Sequence, residues 1–274
     1  MTSDQERLGQ YVDIWADAVD HVLELLRSLA PEDWDRPTDL PGWDVRAVAA
    51  HLAHLESDLA GMAQTAVDVP ELDHVRSPMS RYTEQGRIAR ADWSPDRIVE
   101  ELAKAAEIRL AVLRENPPTD ATADPDRTPG GIGWDWETLL RNRPLDVWMH
   151  EQDIRRAVGR PGGLTTPAAA HTTQVFTMSL PYAVGKKVAP PAGTTVVVDV
   201  RGVHPVHLAV EMGEDGRARP TSGDPQQPTV SLGMDLETFV VLAGGRRPPS
   251  QVEVAVSGDS ELGSRVLEAM AVTP

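Results

Sequence analysis

An α+β chain, helical in a larger first part and mixed in a smaller second part, is predicted by three observations. Long segments carry apolar residues at three- and four-residue steps, the pattern changes after PGGLTTP, and short β-rich runs follow. The 274 residues suffice for two domains at roughly 150 residues each. The change of pattern puts the division at 1–162 and 163–274.

Each element has its own signal. Leu8, Tyr11, Val12, Trp15, Val19, Val22, Leu23 and Leu26 predict a first helix over about 3–29, ending before APEDW. A turn in PTDLPGW leads to a second helix that Asp44 caps, with Val45, Val48, Ala49, Leu52, Leu55 and Leu59 as its stripe. Residues 67–92, with Pro70, Pro78 and several charges, read as an irregular crossover. Ser94 before Pro95 marks a third helix, because serine caps and proline needs no N–H at the first position; it runs to about Arg114. The segment 116–136, NPPTDATADPDRTPGGIGWDW, is too rich in Pro, Gly and Asp for regular structure and reads as a long loop. The fourth helix spans Trp136–Val158, stops at Gly159 and Pro161, and is either kinked or begun by Pro144. Four helices with a long crossover make an antiparallel bundle, whose interior commonly holds side-chain metal sites. Beyond it come a helix over about 166–184, strands at TTVVVDV, VHPVHLAVEM, PTVSLG and QVEVAVSG, and helices at DLETFVVLAG and DSELGSRVLEAM. Strands largely in succession read as α+β rather than a parallel α/β sheet.

Composition narrows the function. A net charge of -16 argues against a phosphate-binding surface and hence against nucleic acid as a partner. With no cysteine there is no disulfide, thiolate ligand or protein thiol nucleophile, so any thiol chemistry must use an external thiol. The polar, acidic start MTSDQERLGQY lacks the features of a signal peptide, and no apolar run is long enough to span a membrane. A soluble cytoplasmic protein is expected.

The residues that carry chemistry are His51 in GWDVRAVAAHLAHLE and the pair Asp146 and His150 in PLDVWMHEQDI. The pair, four apart on a helix, shares one face, and His51 would come in from another helix. Two histidines and one carboxylate leave coordination positions open, as a catalytic metal site requires. The plain alternative is a solvated surface pair. The apolar neighbours Leu145, Val147, Trp148, Met149 and Ile154 argue for a central helix instead. Asp153 would either orient a ligating imidazole or form an exposed helix ion pair with Arg155. His54 lines or rims the pocket, with ligation as its alternative; Trp134 and Trp136 either close over a substrate or plug the bundle end. Arg246, with Arg247, would clamp an anionic substrate across the domain interface or else stay solvated. His21 and His74 read as ordinary surface or crossover residues. Strand alternation would put His204 and His207 on opposite faces, which argues against a metal pair there.

LPGWDVRAVAAHL and DVWMHEQDIRRAVGRP resemble the mycothiol-dependent maleylpyruvate isomerase family, one of the DinB-like metal-binding four-helix bundles. The tail, LAGGRRPP and VEVAVSGDSELGSRVLEAMAVTP, resembles the small sterol-carrier-like domain attached to such bundles. The resemblance implies a divalent metal, usually zinc, on His51, Asp146 and His150, with Asp146 where the family typically has Glu. It also implies mycothiol as co-substrate. The function expected is addition of that thiol to a small electrophile, giving cis–trans isomerisation or S-transfer. A non-catalytic small-molecule or lipid-binding protein and a metal-dependent hydrolase are the alternatives.

Overall fold

In the computed structural model, residues 2–72 and 75–273 are described; His74 lies outside them. The chain forms two compact units, Met1–Ala168 and Ala169–Pro274. No helix among the described residues is long and apolar enough to cross a membrane.

The first unit is built on α1 (Asp4–Arg27), α2 (Val45–Leu59), α3 (Pro78–Ala89), α4 (Pro95–Glu115) and α5 (Trp136–Val158). Local chemistry sets their ends. Ser3 and Glu6 satisfy each other's backbone N–H groups at the start of α1, and Asp44 accepts from Ala47 N at 2.8 Å at the start of α2. Asp135 caps α5 by accepting from Thr138 N at 2.8 Å, and Gly159, left-handed at φ 66, ends it. Pro144 neither starts nor divides α5. The helix continues through it without the bond that an N–H at that position would make to Leu140.

α1 packs on α5, and α2 on α4. Arg7 at the start of α1 pairs with Glu137 at the start of α5, and Arg160 just past α5 reaches Ser28 just past α1. These two helices therefore run the same way. Arg46 near the start of α2 donates to Trp93 O just before α4, so α2 and α4 also share a direction. The long connection between α2 and α4 makes this up-down-down-up order possible. Leu8, Trp15, Leu26, Leu52, Ile98, Leu102, Leu139, Leu140 and Trp148 fill the core.

The crossover expected to be irregular over 67–92 contains α3, packed on α2. Ser77 and Pro78 start it with the same cap-and-proline signature as Ser94–Pro95. The crossover's other proline and charges obscured this start.

α6 (Pro167–Tyr182), whose first two residues belong to the first unit, leads in the second unit through a π-helical turn at Ala183–Val188 to β1 (Thr195–Arg201), β2 (Val206–Met212), β3 (Ala218–Pro220) and β4 (Val230–Asp235). α7 (Leu236–Ala243), β5 (Ala255–Gly258) and α8 (Ser260–Ala269) complete it. The sheet order is β3-β2-β1-β4-β5, with β1 and β4 parallel and every other neighbour antiparallel. Val196, Val198 and Val200 alternate into the core, where Phe176 meets Phe239 edge to face. β3, three residues long, lacks the alternation by which a strand is recognised.

Candidate metal centre

One turn of α5 stacks Asp146 and His150, and the oppositely directed α2 brings His51 against them. His51 Nε2 stands 3.8 Å from Asp146 Oδ2, and His150 Nε2 stands 3.6 Å from Asp146 Oδ1. The imidazoles meet edge to face with centroids 4.7 Å apart. One ligand atom from each of the three residues lies within 4.8 Å of the others. These separations are too long for hydrogen bonds. Two donors each about 2.1 Å from one ion at the tetrahedral angle stand about 3.4 Å apart, so the spacing suits three donors that can hold a single cation.

The protonation states agree. Burial pushes His51 down to about 4, with Asp146 only partly opposing it, so its imidazole is neutral at physiological pH. His150 Nδ1 lies 3.1 Å from Asp153 Oδ2. That contact orients the ring so that Nε2 is turned toward Asp146. Asp153 is fully buried and also accepts from Arg156 Nη2 at 2.6 Å, so the exposed ion pair weighed for it does not form. Arg155 pairs with Glu151 instead.

Arg143, one turn before Asp146, donates to Asp146 Oδ2 at 2.9 Å. Burial disfavours the charged form of Asp146, but the Arg143 guanidinium and the two imidazoles outweigh it and hold the carboxyl well below its usual range. Arg143 is itself anchored by Glu56, whose Oε1 accepts from Nη2 at 2.7 Å and from Nε at 3.1 Å. Glu56 has no exposed surface and also takes Arg109 Nη1 at 2.7 Å and Trp15 Nε1 at 2.9 Å. A buried carboxylate between two guanidiniums thus fixes the arginine that fixes Asp146. The centre opens to solvent at Asp146, whose side chain is 27% exposed against 5% for His51 and 8% for His150.

The other candidates lie elsewhere. His54, on α2 three residues after His51, is buried with Nδ1 2.9 Å from Gln64 Oε1 and its ring against Tyr82 and Gly86, and it does not join the three-residue group. Trp134 lines a cavity of about 590 Å³ together with Asp58, Arg127, Thr128 and Ile132. None of the three candidate ligands lines that cavity. Trp136 is the first residue of α5. Arg246 follows α7 in the second unit and donates to Gly244 O at 2.7 Å. His204 precedes β2, and His207 is bound by Asp199 and Asp224 on its two nitrogens. Arg143 and Glu56 were not singled out in the sequence. Arg143 was findable, because an arginine three residues before a carboxylate on one helix can reach it.

The family model for the mycothiol maleylpyruvate isomerase N-terminal domain matches residues 15–155, and the model for the MDMPI C-terminal domain matches residues 157–265. No protein of curated function matches the chain. Among solved structures, that of the mycothiol-dependent maleylpyruvate isomerase is 17% identical, with a TM-score of 0.55 over 94% of this chain and 96% of that one. A histidine-to-alanine mutant of the mycothiol-dependent maleylpyruvate isomerase is 18% identical, with a TM-score of 0.53 over the same shares. At these identities the likeness is one of fold.

Proposed function

The chain belongs to the mycothiol maleylpyruvate isomerase family, and from that premise we propose that it is a metal-dependent, mycothiol-utilising enzyme. Its substrate is a small electrophile, which it alters by S-transfer or by cis–trans isomerisation of a maleylpyruvate-like acid. The observation that carries this reading is the convergence of the neutral His51 imidazole, the His150 imidazole and the ionised Asp146 carboxylate at a solvent-facing point inside a helical bundle. Two nitrogens and one oxygen suit zinc among the common divalent ions.

Bound there, zinc would supply the positive charge that favours the thiolate over the thiol near neutral pH. The chain's residues prepare the site. Asp153 orients the His150 ring through Nδ1, burial keeps His51 neutral, and Arg143 keeps Asp146 ionised and turned toward both rings. Ligation at His51 or Asp146 therefore needs no proton to be shed. The opening at Asp146 leaves room for thiol and electrophile to approach from one side. Within the first unit, His54 and Trp134 are the proposed substrate contacts by their chemistry, a buried imidazole and an indole lining a cavity. A low-molecular-weight thiol co-substrate belongs in a reducing compartment, so the enzyme is assigned to the cytoplasm.

The test joins elemental analysis of the purified protein to turnover of a generic electrophile with and without mycothiol. Near-stoichiometric zinc and strict thiol dependence are expected. Protein that retains no metal would favour the binding-protein alternative, and thiol-independent turnover would favour a hydrolase.

A further inference from the structure

The two histidines of the centre are held in place by different means. His150 is oriented by a hydrogen bond from Nδ1 to the buried Asp153. His51 has no such partner: its Nδ1 is buried with no hydrogen-bond partner among the described residues. What lies against the His51 ring is Trp43, with centroids 5.2 Å apart and planes inclined at 57°. The same indole faces His150, nearly parallel at 20° with centroids 6.4 Å apart. One side chain therefore faces both rings.

Trp43 is in turn fixed at both ends. Its backbone sits in a tight turn, where Trp43 N donates to Leu40 O and Thr38 N donates to Trp43 O, each at 3.0 Å, with Gly42 left-handed at φ 79. Its indole Nε1 donates to Glu84 Oε1 at 2.8 Å. Glu84, on α3, has no exposed surface, and its other oxygen takes Arg87 Nε at 2.6 Å.

We propose that Trp43, latched by Glu84, is a positioning residue that sets the His51 and His150 rings for metal binding, so that α3 acts on the centre without supplying a ligand. The proposal rests on the metal-centre reading. The hydrogen bond that normally orients a ligating imidazole is missing at His51, and aromatic packing takes its place.

The test compares wild type, Trp43→Leu, Trp43→Phe and Glu84→Leu by competition for Zn²⁺ against a chromophoric chelator and by the visible spectrum of the Co²⁺ form. Circular dichroism and thermal melting confirm that each variant is folded. Trp43→Leu should weaken metal affinity by about 10- to 100-fold, the usual effect of losing a residue that orients a ligand, and should change the Co²⁺ absorption. Trp43→Phe, which keeps an aromatic face, should recover most of the affinity, and Glu84→Leu should fall between the two. A merely structural tryptophan would lower the melting point and leave the Co²⁺ spectrum unmoved. Wild-type affinity and spectrum in both Trp43→Leu and Glu84→Leu would overturn the positioning role alone. Failure of the wild type to take up Zn²⁺ or Co²⁺ would overturn the metal-centre reading and this proposal with it.

Discussion

His51 carries a pH dependence that follows from its burial. Its pKa is pushed from an ordinary 6.5 to about 4, so the folded protein refuses a proton that the unfolded chain accepts. The resulting stability is fully present above pH 6.5, is lost as pH falls toward 4, and changes no further below that. The shift amounts to about 3 kcal/mol for this group. Urea unfolding of chelator-treated protein should show the loss across that window, and His51→Leu should flatten it by about that amount; parallel curves would contradict the assignment. A second residue-scale expectation separates ligand from neighbour. His150→Ala should abolish stoichiometric zinc in elemental analysis, whereas His54→Ala, which removes a ring packed on Tyr82 and Gly86, should keep it. The 146–150 pair was legible because four residues is a helical repeat and its neighbours are apolar. Glu84 and Glu56 were not legible, because their partners are far away in sequence and meet only once the helices pack.

Helix starts were readable where the cap is local, as at Asp44 and Ser94. The direction of a helix is another matter. That α1 runs with α5, and α2 with α4, depends on how the crossover is traversed, and no local residue encodes it. The interior of the bundle yields two predictions at this scale. Glu56→Ala leaves Arg109 and Arg143 buried without their shared carboxylate and should cost about 3–5 kcal/mol in urea unfolding. It should also weaken zinc binding, because Arg143 loses the anchor from which it holds Asp146. Gly86 tests the seating of α3 on α2. A Cβ there would stand 2.2–2.5 Å from three His54 atoms, so either the ring or the helix must move. Gly86→Ala should destabilise by about 1–3 kcal/mol, the usual range for overpacking, and a neutral result would mean that α3 shifts freely.

For the molecule as a whole, the absence of cysteine is the strongest constraint on mechanism. No side chain of this chain can serve as a thiol nucleophile, so under the proposed function the sulfur must come from a low-molecular-weight thiol in solution. Pretreatment with iodoacetamide, followed by its removal, should therefore leave activity unchanged, while omitting the thiol should abolish it. The pH profile follows from the same premise. A free thiol ionises near ~8.5, and coordination to a divalent cation favours the thiolate, so the rate should rise with pH through a value below that of the free thiol. Asp146→Asn, which removes one negative ligand, should weaken zinc binding and lower the rate at every pH in that range. Asp146→Glu should preserve turnover if the longer carboxylate can still meet both imidazoles while keeping its bond to Arg143. Full turnover in rigorously thiol-free buffer would reassign the opening at Asp146 to water activated by the metal, and a rate that follows the ionisation of the free thiol would remove coordination from the mechanism.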